Sequence, residues 1–314
     1  MMKKNKIWIT GSNGMVGQAL IRNLSENKNY NILKTSRKNL DQTNQLKTNN
    51  WVTKNKPDTI IISSALVGGI QLNAKIPADF LYQNSLINLN IINAAHLNNC
   101  KKIVFLGASC MYPKLGKQPF KENSLMNGKV EETNEGYALS KIIGLKFINF
   151  LNAQHNKNYI SIIPTASYGP KDCYDESKNH VIPALIKKIY EAKINNKSKV
   201  VLWGTGKVKR EFIHVSDMAS GIMHIIKNYN DSGPINLGTG EEISIKNLAS
   251  IISKTIKYTG KIIFDDTKPD GIKRKILDKS KIQKLKWKHK VSLHEGLSSQ
   301  ITEYIRIRNK IIKK

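Results

Sequence analysis

Cysteine is scarce in this sequence. The 314 residues include only three, Cys100, Cys110 and Cys173, and none of them stands in a CxxC or Cys/His ligand spacing. Neither a disulfide framework nor a metal site is therefore expected. This cysteine usage favours a reducing compartment, the cytoplasm.

Long hydrophobic runs are also missing. After the basic residues 1–6, the apolar stretch covers only residues 7–9, which is too short for a signal peptide, and no stretch reaches transmembrane length. We therefore expect neither export nor insertion into a membrane.

Acidic side chains are few beside basic ones. The 23 Asp and Glu residues face 51 Lys and Arg residues, which gives a formal net charge of +28. Such a charge favours a polyanion or a phosphate-bearing ligand. The lysines are spread over the whole chain without an arginine-rich arm, however, so nucleic acid is disfavoured and a Lys/Asn-biased surface is favoured.

Short apolar runs alternate with amphipathic stretches from residue 6 to about residue 167. Residues 15–24 are a predicted helix, and the predicted strands are residues 6–10, 30–35, 59–63, 103–106 and 159–163. This alternation predicts βαβ units and hence an α/β fold with a Rossmann-like, doubly wound parallel sheet.

The pattern loosens after residues 168–170, and a smaller α/β substrate lobe is expected there. It would hold helices at about 181–192 and 293–307 and a strand at 200–203. We predict a cofactor-binding domain of residues 1–167 plus about 212–240, and a substrate lobe of about 168–211 and 241–314.

A glycine-rich loop follows the first predicted strand and opens the first helix. It comprises Gly11, Ser12, Asn13, Gly14, Met15, Val16 and Gly17. Glycines at this junction let backbone N–H groups approach a dinucleotide pyrophosphate, although the GxxGxxG spacing differs from the GxGxxG fingerprint. After the second strand, Arg37 stands near the position where an acid would bind the ribose of NAD. Arg37 favours a 2′-phosphate, and so NADP(H), unless it is only a surface cation.

Two further features concern proton transfer. Residues 107–113, GASCMYP, follow a buried strand, where ligands bind in open parallel sheets. Tyr137 and Lys141 lie four residues apart and would share one helix face, where a cation would lower the tyrosine pKa and prepare it to protonate a carbonyl oxygen. Two interpretations of Cys110 are open: a reactive thiol, or a small buried hydrophobic residue.

Several stretches extend these features over nearly the whole chain. They are residues 67–70, 77–84, 109–114, 133–135, 179–185, 210–215, 268–271 and 274–278. With the glycine loop and the Tyr137/Lys141 pair, they resemble the GDP-L-fucose synthase family of extended short-chain dehydrogenases/reductases.

The resemblance implies an activity and a set of site residues. The family epimerises C3 and C5 of GDP-4-keto-6-deoxy-D-mannose and reduces C4 with NADPH. By the same match, Cys110 and His180 would handle the epimerisation protons, and Tyr137 with Lys141 the reduction. Leu106, Gly107, Pro164, Lys141 and His180 would contact the cofactor, and Lys188, Trp203, Arg210, Asp270 and Lys275 the GDP-sugar. A homodimer through helices of the N-terminal lobe is expected.

The chain departs from the family pattern at two positions. Ala108 replaces the catalytic serine, and Ala166 replaces an asparagine that contacts the nucleotide sugar. Ser109 or a water could supply the lost hydrogen bond to the C4 oxygen. Alternatively, the chain acts on another GDP-4-ketosugar, as in GDP-colitose formation, or binds nucleotide or a polyanion without turnover.

Overall fold

The structure is a computed structural model that describes residues 4–231, 233–268 and 270–312. Pro269, within the stretch 268–271 that carries the family resemblance, lies outside the described residues, as do residues 1–3 of the basic start.

The described residues form strands and helices in alternation over the first half of the chain. The strands are β1 (Asn5–Ile9), β2 (Tyr30–Lys34), β3 (Thr59–Ile62), β4 (Lys102–Leu106), β5 (Ile160–Pro164), β6 (Ala166–Tyr168), β7 (Lys199–Trp203), β8 (Lys209–His214), β9 (Ile235–Leu237), β10 (Glu242–Ser244), β11 (Lys261–Asp265) and β12 (Arg274–Lys275). The helices are α1 (Met15–Ser25), α2 (Gln45–Asn55), α3 (Ile70–Lys75), α4 (Pro77–Leu97), α5 (Glu135–His155), α6 (Val181–Ile194), α7 (Val215–Asn228), α8 (Ile245–Ile256), α9 (Ser280–Lys284) and α10 (Leu293–Ile312).

The main sheet has six parallel strands in the order β2-β1-β3-β4-β5-β9. The chain runs outward from β1 to β2 and then crosses back to β3 on the other side. The strand order therefore reverses between β1 and β3, which is where doubly wound sheets bind ligands. The predicted Rossmann-like fold is confirmed.

Both faces of this sheet are buried because successive side chains point to opposite sides of a strand. In β1, Ile7 and Ile9 pack with α1 and α7 on one face, while Trp8 between them packs on the other face. The second face is covered by α4 and α5, through residues such as Ile91 and Ile148.

A second region has its own core. In it, β8 pairs with β6, β10 and β12, and β7 pairs with β11. Residues of α6, α8 and α10 pack against these strands, among them Ile186, Ile252 and Leu297. Residues 212–214, which the sequence assigned to the first lobe, pair within this second sheet, whereas α7 and β9 pack on the main sheet. Within the described ranges, no helix is both long and apolar enough to cross a membrane.

Candidate active site

The glycine loop is held tightly at the point where the strand order reverses. Gly11 has a φ of +62°, and a Cβ atom placed on it would lie 2.8 Å from the Cα of Ser64. A Cβ on Gly17 would lie 2.8 Å from the Cα of Ser12. A larger residue at Gly11 would collide with the segment after β3, and one at Gly17 would push α1 away from the loop, so the glycines fix a narrow backbone cradle.

The first turn of α1 faces this cradle without a side-chain cap. Gly14, the residue before the helix, has no side chain that could cap an N–H group, and the first turn carries no acidic residue. The Ser12 hydroxyl instead donates to the carbonyl oxygen of Thr35 at 2.9 Å, which ties the loop to the end of β2. Free N–H groups and the positive end of a helix suit a pyrophosphate, so the residues present fit a dinucleotide cofactor.

Arg37 lies in the turn that follows β2. Its side chain is exposed, and the buried Thr35, two residues earlier, accepts a hydrogen bond from the Trp8 indole at 3.1 Å. The guanidinium helps to lower the pKa of the Asp41 carboxyl, although hydrogen bonds from Thr43 contribute more. An exposed arginine at the end of β2 fits the negative charge of a 2′-phosphate.

Lys141 is anchored at the end of β4. Its ammonium donates to the carbonyl oxygen of Leu106 at 2.9 Å and lies 5.1 Å from the centre of the Phe105 ring. Only 3% of the residue is exposed, and this burial lowers the pKa of Lys141 to about 8. Leu106 ends β4 and Pro164 ends β5, and the N–H of Gly107, the residue after β4, donates to the carbonyl oxygen of Ile162 at 2.8 Å.

Tyr137 differs from the sequence-based expectation. Burial raises its pKa, and the nearby Cys110 adds to the increase. The Lys141 ammonium lies 5.7 Å from the centre of the tyrosine ring and is directed to the Leu106 carbonyl, so it does not offset the loss of water. The predicted lowering of the tyrosine pKa is therefore wrong for this arrangement, in which Tyr137 holds its proton firmly.

Cys110 packs in the same small cluster as Tyr137. Cys110, Val130 and Ala138 are buried together, and Ala108 and Tyr137 pack against them. Burial raises the pKa of the Cys110 thiol, while the charges of Lys275 and Lys141 oppose that rise. The two cations favour the thiolate, but the effect of burial is larger, so the thiol holds its proton until a ligand or a base changes this balance.

His180 immediately precedes α6, and the loop after β3 holds the residues before it. The backbone N–H of Gly69 donates to the carbonyl oxygen of Lys178 at 3.0 Å, two residues before the histidine. The Gly69 loop is fixed in turn by Asn84, whose side chain bonds the N–H and the carbonyl of Leu66 at 2.7 and 3.1 Å. The His180 residue is exposed in part, and the protein packed near its ring lowers its pKa by loss of hydration.

The predicted substrate residues fall into two groups: one set interacts within the second sheet and its loops, and the other, Trp203 and Lys188, is exposed. Lys275 of β12 stands opposite Arg210 of β8 in register, and Lys275 is within electrostatic reach of Cys110. Asp270 accepts hydrogen bonds from the Thr205 N–H and hydroxyl at 2.7 and 2.6 Å, and its charge acts on Arg210. Trp203 at the end of β7 is 58% exposed. Lys188 on α6 is also exposed, and the described residues show no hydrogen bond or ion pair from its side chain.

The two departures from the family pattern are Ala108, which lies after β4, and Ala166, which lies in β6. Ala108 precedes a 3-10 turn, Ser109–Met111, and packs against the Cys110 cluster with its methyl group. The Ser109 hydroxyl forms no hydrogen bond to any described residue, so its bonding capacity is available to a ligand. Ala166 lies in β6 opposite Phe212 and is exposed.

Sequence reasoning gave no role to Glu211, which supports the substrate side of the site. Its side chain is buried and accepts from the N–H groups of Gly240 at 2.7 Å and Leu277 at 2.9 Å. Leu277 lies two residues after Lys275, so the carboxylate fixes the strand that presents this lysine. The residue stands inside the stretch 210–215 that carries the resemblance, but an acid in a strand has no signal of its own.

The fold is that of an oxidoreductase of the short-chain dehydrogenase type. Residues 7–238 match the NAD dependent epimerase/dehydratase family, and the chain belongs to that family.

Individual relatives match over nearly the full length. The chain is 41% identical over 307 residues to the GDP-L-fucose synthase of Escherichia coli, covering 95% of this chain and 96% of the relative. It is 36% identical to the GDP-L-colitose synthase of Yersinia pseudotuberculosis, covering 97% and 99%. A GDP-mannoheptose C4 reductase from Campylobacter jejuni, solved with NADP bound, superposes with a TM-score of 0.88 at 33% identity, covering 97% and 99%.

Proposed function

We propose that this protein is an NADPH-dependent enzyme that converts GDP-4-keto-6-deoxy-D-mannose to GDP-L-fucose. It epimerises C3 and C5 and then reduces the C4 ketone. The observation that carries this proposal is the grouping of Cys110, Tyr137, Lys141 and Lys275 at the end of β4, close to the glycine cradle. The 41% identity to a GDP-L-fucose synthase supports the choice of substrate.

The glycine loop, the start of α1 and Arg37 would hold NADP(H), with the pyrophosphate on the helix start and the 2′-phosphate on the arginine. Leu106, Gly107 and Pro164 would line the floor of the same site. When bound, the cofactor supplies the hydride for C4. The solved relative with NADP bound supports this assignment.

Cys110 and His180 carry the epimerisation protons. A hydrogen next to the C4 ketone is acidic because its loss gives an enolate. Cys110 takes that proton as the thiolate, aided by the charges of Lys141 and Lys275, and His180 returns a proton to the other face of the same carbon. One carbon–hydrogen bond breaks and one forms, so no net proton is consumed.

Tyr137 then protonates the C4 oxygen as the ketone becomes an alcohol. Its raised pKa keeps the phenol protonated until that oxygen gains charge. The Lys141 ammonium, 5.7 Å from the ring centre, attracts the phenolate that remains by less than burial costs it, so proton uptake from water readily restores the phenol.

The second sheet would bind the GDP portion. Arg210 and Lys275 present two cations side by side, which suits the diphosphate. Asp270 and Trp203, which lie near the same strand ends, would contact the nucleoside, and Lys188 would approach from α6.

A second candidate product is GDP-colitose, through a GDP-4-ketosugar that lacks the C3 hydroxyl. Ala108 is the observation behind this candidate, because a residue that the family places beside the sugar has changed here. The 36% identity to a GDP-L-colitose synthase supports keeping this candidate.

The protein would act as a homodimer in the cytoplasm. Leu139, Ile143 and Phe150 form an exposed apolar stripe on α5, and Tyr82 and Leu97 are exposed on the neighbouring α4. A stripe of this kind on two packed helices suits a second copy of the same surface. The three unpaired cysteines fit a reducing compartment.

The deciding experiment incubates the purified protein with GDP-4-keto-6-deoxy-D-mannose and NADPH in heavy water. Cofactor absorbance reports reduction, and NMR reports deuterium at C3 and C5 and the sugar formed. We expect GDP-L-fucose from the natural chain, deuterium uptake without NADPH oxidation from Tyr137→Phe, and neither from Cys110→Ser. Absence of both signals in the natural chain would contradict the proposal.

A further inference from the structure

A buried carboxylate with no role in the reaction above stands next to the Cys110 cluster. Glu131 follows Val130, which packs with Cys110 and Ala138. The Glu131 side chain is 12% exposed, and its Oε1 pairs with the Lys114 ammonium at 3.3 Å. Its second oxygen, Oε2, is buried and has no hydrogen-bond partner among the described residues.

The charges around Glu131 place it on the substrate side of the site. It is within electrostatic reach of both Arg210 and Lys275, the cations assigned to the GDP-sugar, although neither forms a hydrogen bond with it. The backbone also ties this segment to the Cys110 loop, because the N–H of Lys114 donates to the carbonyl oxygen of Lys129 at 2.8 Å. The Glu131 carboxylate is therefore next in sequence to the Cys110 cluster and within electrostatic reach of the two cations.

A buried carboxylate oxygen without a partner is costly, and a donor that arrives with a ligand removes the cost. The hexose of a GDP-4-keto-6-deoxysugar offers hydroxyl groups as donors. Two carbons, C3 and C5, are adjacent to the C4 carbonyl. C5 carries the ring oxygen and the C6 methyl group, so only C3 carries a hydroxyl group. C3 is also a carbon at which Cys110 acts.

We propose that Glu131 accepts a hydrogen bond from the C3 hydroxyl and thereby selects 3-hydroxy over 3-deoxy GDP-ketosugars. This inference rests on the proposed function, because it takes the sugar site to be the one beside Cys110. It makes Glu131 a specificity-determining residue that distinguishes the fucose from the colitose product.

The test combines a protein change with a substrate change. Steady-state kinetics measure kcat/KM of the natural chain and of Glu131→Gln on GDP-4-keto-6-deoxy-D-mannose and on its 3-deoxy counterpart. Calorimetry measures the Kd of GDP-L-fucose and GDP-L-colitose for the same proteins. We expect Glu131→Gln to lose about tenfold or more for the 3-hydroxy compounds and far less for the 3-deoxy ones.

Two matched variants separate this effect from general damage. Glu132→Gln makes the same change at an exposed neighbour and should behave like the natural chain. Lys114→Gln removes the partner of Oε1 but leaves Oε2, and should change the preference by less than about threefold. Equal losses on both sugars in Glu131→Gln would overturn the inference.

The two proposals fail in different ways. A natural chain that turns over neither ketosugar would contradict the proposed function, while the two dissociation constants would still decide the role of Glu131. A chain that turns over the sugars but shows no change of preference in Glu131→Gln would contradict the inference alone.

Discussion

The backbone N–H of Gly69 donates a 3.0 Å hydrogen bond to the carbonyl oxygen of Lys178, which joins the loop after β3 to the residues that precede His180. A Cβ atom on Gly69 would collide with the carbonyl oxygen of Asn179. The proposed acid of the epimerisation is thus positioned by a loop more than a hundred residues earlier in the chain, and that loop is held by Asn84 and Asn73.

Gly69→Ala should therefore slow epimerisation. The added methyl group has to displace the segment before His180, and a displacement of about 1 Å costs on the order of 100-fold in rate where geometry controls the step. Deuterium uptake at C3 and C5 measures the loss, and NADPH affinity should not change. Gly233→Ala is the control, because a Cβ there meets nothing closer than 3.6 Å. Unchanged exchange in Gly69→Ala would show that His180 is positioned by other contacts.

Lys141 is expected to lower the free energy of unfolding while it serves the reduction. Its pKa falls from the ordinary 10.5 to about 8 through burial, which corresponds to about 3 kcal/mol. Lys141→Met removes the buried charge and loses the hydrogen bond to Leu106, so we expect a net gain of about 1 to 2 kcal/mol at pH 7 with loss of reduction. Urea denaturation and NADPH oxidation measure the two effects.

The pH dependence of that gain has a definite sign. Between the folded pKa of about 8 and the unfolded value of 10.5, the unfolded chain binds more protons at Lys141, so this lysine lowers stability less as the pH rises. The advantage of Lys141→Met should be full below pH 8 and shrink toward pH 10.5. A constant advantage between pH 7 and 9.5 would mean that the pKa of Lys141 is not lowered.

Local patterns in the sequence predicted the parts of the fold and site that depend on neighbouring residues. The strands β1 to β5, the glycine cradle and the shared helix face of Tyr137 and Lys141 are of this kind. The pKa direction of Tyr137 was missed because it depends on burial by distant segments. The pairing of β8 in the second sheet, and the two N–H groups bound by Glu211, at separations of 29 and 66 residues, have no local signal either.

Glu211→Gln should destabilise the protein and weaken GDP binding together. An amide nitrogen would replace one of the two oxygens that accept from Gly240 and Leu277, leaving two donors facing each other. We expect a loss of about 1 to 3 kcal/mol in urea denaturation. Calorimetry should show weaker GDP binding, because the strand that carries Lys275 is loosened. Glu241→Gln makes the same change at the exposed residue after Gly240 and should change neither the stability nor the GDP affinity. Normal GDP affinity in a destabilised Glu211→Gln would limit this residue to a structural role.

Arg37→Asp should reverse the cofactor preference. The arginine is exposed at the turn after β2, and a carboxylate there would repel a 2′-phosphate and accept a hydrogen bond from a ribose hydroxyl. We expect kcat/KM for NADPH to fall by about tenfold or more, and that for NADH to rise. Lys38→Asp makes the same charge change at the next exposed residue and should have a smaller effect. A preference for NADPH that survives Arg37→Asp would assign the 2′-phosphate to another cation.

Ala108→Ser should accelerate the reductive step if the C4 oxygen lies beside Tyr137 as proposed. Ala108 packs against the Cys110 cluster without a donor, and a serine hydroxyl there would reach the same pocket. Removing one such donor typically costs on the order of 100-fold, so a tenfold or greater rise in the rate of NADPH oxidation is expected unless Ser109 already replaces it. Ser109→Ala decides this point: a large loss in Ser109→Ala, with no gain in Ala108→Ser, would mean that the neighbouring hydroxyl has taken over the hydrogen bond. No change in either variant would mean that Tyr137 alone bonds the C4 oxygen.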